Sequence, residues 1–369
     1  MKRNLLFSTI VFVIAITITP IPSSAETVKY AVKPQFDDTG KFSEGLAWVK
    51  IGCKCGYIDR TGKYVINPQF DMAKSFSEGL ARVKIGGKWG FIEETGKYVI
   101  KPQFDNAGHF SEGLAVVKIG GKYGFIDKTT SYVIKPQFDD AESFSEGLAL
   151  VKIGEKYGFI DRTGKYIAKP KFDNAWSFKE GLALIEIMGR SSFIDKTGKY
   201  IANPKFNDAN DFSEGLAMVK IGDKWGYIDK TGRQVIKPQF DNGASFSEGL
   251  AQVEIGGKLG YIDKTGKYVI KPQFDNAGHF SKGLAMVKIG DKWGYIDKTG
   301  RQVIKPQFDN GASFGEGLAL VEIGGKWGFI DKTGRQVIKP QFDDARGFRE
   351  GLAEVKIGGK WGYIDNLLK

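Results

Sequence analysis

The sequence predicts an all-β protein of ten tandem 34-residue units, each of about three short antiparallel strands. Three observations carry that reading. Ten prolines, from Pro34, Pro68 and Pro102 through to Pro340, stand 34 residues apart without a slip. Segments 97–111 and 267–281 are identical, and 215–246 recurs letter for letter at 283–314. Within each unit apolar and polar residues alternate, which is the period of a half-buried strand and not of a helix.

The second unit shows the elements in order. "GLARVKI" (79–85) puts Ala81, Val83 and Ile85 on one face, with Arg82 and Lys84 on the other. "GGK" (86–88) suits a tight hairpin. "WGFIE" (89–93) is the second strand, and "ETGK" (94–97) a turn whose Gly can take positive φ. "YVIKPQF" (98–104) is the third strand. Its Pro102 has no N–H to donate, so that strand belongs at a sheet edge. "DNAGHFSEG" (105–113) reads as a loop with one helical turn, capped by Asp105 and packed through Ala107 and Phe110.

A unit of this size cannot bury its own sheet, so neighbours must cover each other's faces. The array opens on a lone third strand, "YAVKPQF" (30–36), and closes on a first and second, "GLAEVKIGGKWGYID" (351–365). Units counted from the third strand need no closure, and ten blades exceed the usual range of about four to eight. The expectation is therefore an open, curved or superhelical stack. The alternative is a closed propeller-like ring in which the terminal pieces complete one another.

Residues 1–25 read as a secretory signal peptide: Lys2 and Arg3, an uncharged run from Leu5 to Thr19, then Ser23-Ser24-Ala25 before the cut. That leaves 26–369 as a single repeat array, secreted or held at the cell surface by what it binds, with no membrane insertion after cleavage. The net charge of +11 falls to +9 once Lys2 and Arg3 are removed. Such a charge favours encounter with anionic polymers. Export makes a cell-wall or surface polymer a better partner than nucleic acid, which is not expected. Cys53 and Cys55 are the only cysteines, two substituted positions that could pair as a strained disulfide.

"GDKWGYIDKTGR" (222–233) and "GGKWGFIDKTGR" (324–335), each followed by "QVIKPQFD", resemble the WG-repeat (KWG-repeat) family of bacterial proteins. Trp89, Trp225, Trp293, Trp327 and Trp361 keep the Trp-Gly pair, whereas Tyr123, Tyr157, Leu259 and Cys55 replace the Trp. The fifth unit, "MGRSSFID" (188–195), loses both residues. The resemblance implies β-repeats, export and a binding or scaffolding role, and it brings no catalytic residues with it.

Acids come in rows, such as Asp59, Asp71 and Glu78, broken only by Glu93, Asn207 and Lys282. A catalytic pair needs a unique pocket that pushes two pKa values apart, so ten copies point to caps, turns and lysine partners. His109 and His279 hold the same unit position five units apart. No enzyme, cofactor or metal is expected. The five repeated Trp read as structural, packing between units. Trp48 and Trp176 fall at variable positions that read as outward, and they are the candidate ligand contacts. The functional expectation is an extracellular, non-catalytic, monomeric binding or scaffold protein for an anionic or carbohydrate polymer or a protein partner. The alternative is a wall-polysaccharide-modifying enzyme with its site in the irregular fifth unit, at Arg190, Ser191 and Ser192.

Overall fold

The computed structural model describes residues 28–202 and 205–368. The expected signal peptide lies outside them. Among the described residues thirty-nine strands, β1 to β39 in chain order, form ten separate sheets. After β1 (Tyr30–Phe36), the first sheet is β2 (Asp38–Thr39), β3 (Ala47–Ile51), β4 (Lys54–Ile58) and β5 (Tyr64–Phe70), all antiparallel and in that order.

Each regular unit thus has four strands, one more than the sequence suggested. The fourth is the two-residue edge strand after "KPQFD", where a helical turn was expected. In the third sheet this stretch is the longer β10 (Asn106–Ser111). Asp105 does not cap a helix; its carboxylate accepts the Gly120 N–H across the sheet end. Asn106 meanwhile holds the Ala107 N–H in the extended chain at 2.9 Å. The "SEG" segment is a tight turn: Ser43 and Leu46 exchange both backbone hydrogen bonds around Glu44 (φ 55°) and Gly45 (φ 82°). Positive φ at both central residues is the hairpin geometry that matches strand twist.

The glycine after the repeated aromatic has a specific cause. Proline bulges the last strand of each regular sheet, Tyr98–Phe104 in blade 2, so its ladder to the preceding strand skips between Trp89↔Phe104 and Phe91↔Ile100. The bulged backbone leans onto Gly90, where a Cβ would lie 2.5 Å from the Ile100 carbonyl oxygen. The same clash recurs at Gly56, Gly226 and Gly294. In the fifth sheet Ser192 stands at this position. That sheet has only β18 (Asn174–Ala175), β19 (Leu182–Ile187) and β20 (Arg190–Asp195) among the described residues. The Ser192 hydroxyl donates instead to the Ala202 carbonyl, and two isolated bridges, Ser191↔Phe206 and Ile194↔Tyr200, stand where other blades have their last strand.

The ends decide the architecture. The last sheet has the order β1-β39-β38-β37, with β37 (Asp344–Ala345), β38 (Leu352–Ile357) and β39 (Lys360–Asp365). The open stack is therefore incorrect and the ring alternative holds: this is a ten-bladed propeller, closed by pairing the first strand with the last. An open stack would leave β39 a bare edge and β1 without any sheet. The hydrophobic core lies between blades. Tyr57, Ile66 and Phe70 of blade 1 pack on Phe76, Ala81, Val83 and Ile92 of blade 2. The closing junction repeats the arrangement, with Val32, Phe36, Leu352 and Tyr363 against Phe42, Ala47, Val49 and Ile58.

Candidate functional site

Successive connections in an antiparallel blade lie at opposite ends, which gives the ring two faces. On one face, Asp71 receives the Lys54 ammonium of blade 1 at 2.6 Å and the Gly86 N–H of blade 2 at 2.8 Å. The lysine hydrogen bond, then the Gly86 N–H, holds the Asp71 carboxyl below the usual aspartate range. Asp241, Asp275 and Asp309 bridge their blades in the same way. At the closing junction Asp37 joins Lys360 to Gly52. Asn207 accepts the Gly222 N–H after the fifth blade, where Arg190 replaces the lysine.

On the other face the "SEG" glutamates bridge. Glu78 Oε2 accepts the Gly113 N–H of the next blade at 3.0 Å, and Lys128 Nζ lies 3.3 Å from the same oxygen. A side chain in the left-handed region costs roughly 1–2 kcal/mol. The repeated glutamate keeps that strained position because its carboxylate ties two blades together. Asp59 belongs to the third kind of acid, a turn carboxylate. It accepts Thr61 Oγ1 at 2.6 Å, and that bond chiefly lowers its pKa.

The aromatic row faces the junctions. Trp89, Trp225 and Trp361 are buried, whereas Trp293 and Trp327 are half-buried. The lysine opposite on the neighbouring strand covers three of these rings: Lys84 lies 5.7 Å over Trp89, Lys220 5.8 Å over Trp225 and Lys356 5.6 Å over Trp361, whereas Trp327 stands opposite Glu322. At three junctions where a smaller residue replaces the Trp, a pocket opens. Three pockets on the aspartate face are lined by Tyr123, Tyr157 and Leu259, each of which stands in for a Trp. The first, of about 500 Å³ between blades 3 and 4, shares Asp140 and Lys152 with the second, of about 190 Å³ between blades 4 and 5. The two pockets thus adjoin across blades 3 to 5, a groove in two parts. Lys118 lies 4.9 Å over Tyr123 and Lys152 lies 5.1 Å over Tyr157.

Trp176 lines the far end of this groove and is 41 % exposed. Trp48 is not outward. It is half-buried against the blade 1–2 core, and its ring fills the space where Gly40 would carry a Cβ. The structure therefore separates the two candidate contacts: Trp176 is exposed at a pocket, whereas Trp48 is half-buried at a junction. The groove itself was missed in the sequence; the available signal was the run of two Tyr-for-Trp replacements in adjacent units. Cys53 is exposed in a turn and Cys55 is buried on a strand, and both are free thiols. Burial raises the Cys55 thiol. In the fifth unit Ser191 and Ser192 are buried while Arg190 is exposed, so these residues do not converge.

The WG containing repeat family matches ten successive segments: 29–55, 56–89, 89–123, 123–157, 157–189, 192–225, 225–258, 260–293, 293–327 and 327–361. No curated protein matches the chain. Among solved structures it is similar to a eukaryotic initiation factor, at 13% identity over 74% of this chain and 88% of that one, with a TM-score of 0.48. It is similar to PorZ, a surface component of the type-IX secretion system of Porphyromonas gingivalis, at 10% identity over 92% of this chain and 60% of that one, TM-score 0.29. The extracellular domain of the hybrid two component system BT4673 of B. thetaiotaomicron is a third, at 12% identity, 95% and 59% coverage and TM-score 0.31.

Proposed function

This chain belongs to the family of proteins built from WG containing repeats, and from that premise we propose that it is an exported, non-catalytic binding protein for an acidic polysaccharide. The observation that carries the reading is the groove over blades 3 to 5, formed where tyrosine replaces tryptophan in two adjacent units. Its chemistry suits a sugar chain with negative groups. Tyr123, Tyr157 and Trp176 offer ring faces for stacking, and Lys118 and Lys152 offer charge beside them. Several weak contacts along one polymer would add through effective concentration. The repeated carboxylates are used in turns and blade-to-blade bridges, so the proposed role assigns them no chemistry. Residues 1–25 would direct export, and a net charge of +9 would draw the mature chain to an anionic surface.

The test is affinity electrophoresis of residues 26–369 through gels containing purified acidic wall polysaccharide, at low and high salt. Wild-type protein should be retarded, less so at high salt. Joint replacement Lys152→Gln and Trp176→Ala should weaken retardation at least tenfold without lowering the melting temperature, while Trp48→Ala should leave retardation unchanged. Equal retardation of the double variant and the wild type would remove the groove from the reading.

A further inference from the structure

Each blade presents one variable side chain, the fourth letter of "GLAxVKI", to the two-residue edge strand of the next blade. Met218 Sδ lies 3.0 Å from where Gly243 would carry a Cβ, and Met286 has the same relation to Gly311. Leu150, Leu184 and Leu320 instead face units that carry Ala175, Ala209 and Ala345 at that point. Large residues thus meet glycine or alanine along the ring.

The closing junction breaks this pattern in three positions at once. Glu354 holds the variable position and is only 2 % exposed. Thr39, the only hydroxyl at the edge-strand position, is fully buried against it, and its Oγ1 donates to Glu354 Oε1 at 3.2 Å. Arg346 Nη1 donates to the same oxygen at 2.7 Å and to the Thr39 carbonyl at 3.0 Å. The guanidinium also lies 4.5 Å over Trp361. The second oxygen, Glu354 Oε2, is buried without a hydrogen-bond partner. Thr39 and Glu354 are 315 residues apart, so only closure unites them.

We propose that Thr39, Arg346 and Glu354 are a register key: they direct the first strand to the tenth blade and against every other blade. The need arises from the repeats themselves. β1 carries "YAVKPQF", nearly the "QVIKPQF" of the strand Gln336–Phe342 that completes blade 9, so it can compete for that place. Closing there would set Thr39 against Leu320 and Ala312, the blade 9 counterparts of Glu354 and Arg346, which accept no side-chain hydrogen bond. A buried hydroxyl without a partner costs roughly 1–3 kcal/mol. Glu354 and Arg346, both in blade 10, would keep each other but lose the Thr39 hydroxyl and carbonyl. Buried ion pairs often add little net stability compared with apolar residues, and fixing one register over another is their best-attested use.

The experiment gives the seam the side chains of the neighbouring junction, in the full mature chain, through Thr39→Ala, Arg346→Ala and Glu354→Leu. Wild type and variant are unfolded in guanidinium chloride and refolded by dilution. They are then compared by native mass spectrometry and by limited proteolysis of the last blade. Wild type should refold to one protease-resistant monomer. The variant should reach the same circular dichroism while the fraction with a cleavable last blade, or in concatenated oligomers, rises at least tenfold. Uniform, resistant monomer from the variant would overturn the key. If the triple variant does not fold, Thr39→Val decides, since it removes only the hydroxyl: misclosed species in excess of wild type support the key, and wild-type homogeneity overturns it. Thr39→Ser retains the hydroxyl and should refold like wild type.

Discussion

Replacing Gly294 by Ala tests the central claim about the Trp-Gly pair, that its glycine exists to admit a bulged backbone. The added Cβ would sit 2.5 Å from the Ile304 carbonyl oxygen, 2.6 Å from Pro306 N and 2.8 Å from the Lys305 carbonyl carbon. All three atoms are backbone, so no side chain can swing aside. The strand Gln302–Phe308 must retreat by about 0.9 Å to reach an ordinary contact of 3.4 Å. That strand carries Ile304 and Phe308 into the core shared by blades 8 and 9, and Ile304 also packs under Gly334 of the next blade. Overpacking of this kind costs about 1–3 kcal/mol. The upper half of that range is expected, because the displaced atoms anchor two blades. Guanidinium chloride melts give the cost, and hydrogen exchange in 302–308 locates it. A loss under about 0.5 kcal/mol with unchanged protection of that strand would refute the steric argument. Ser192→Gly is the converse, and should raise exchange protection at 200–202 and 205–206 in the fifth blade.

Five further outcomes are expected. Trp225→Ala should cost about 3–5 kcal/mol in chemical denaturation, the range for emptying a large core site, and Trp293→Ala distinctly less because that ring is half-buried. Glu78→Ala should destabilise by about 1–2 kcal/mol through loss of the Gly113 bridge, and Glu78→Gly by less, since glycine relieves the left-handed strain. Asp71, Asp105 and their counterparts are held below 3.8 by lysine hydrogen bonds, and Asp297 falls to about 2 through the Thr299 hydroxyl. Depressed carboxyls stabilise fully above their unfolded values, so melting temperature should hold above about pH 4 and fall as pH drops toward 2. Glu354 has the opposite sign: burial raises it despite Arg346, its charged form opposes folding as pH rises, and Glu354→Gln should not lower stability at neutral pH. Finally, deleting residues 215–248 should lower the melting temperature far more than an open stack would allow, because every remaining blade angle must change.

The sequence by itself determined the period, the strands and the turns. Those signals are local: the alternation in "GLARVKI", glycines at turns and a proline at a sheet edge all act within one unit. It also read the five repeated Trp as structural; Trp89, Trp225 and Trp361 are buried and Trp293 and Trp327 half-buried. Only the tertiary structure decided closure. Ring or stack depends on a small rotation between neighbouring blades, summed over ten junctions, and no single unit encodes that sum. The roles of residues at the junctions followed from it. Asp105 looked like a helix cap until Lys88 and Gly120 were brought to it from opposite sides. Trp48 looked outward until the blade 1–2 junction covered it. Glu354 fills a variable position of the repeat, and only closure sets it, buried, against a threonine 315 residues away.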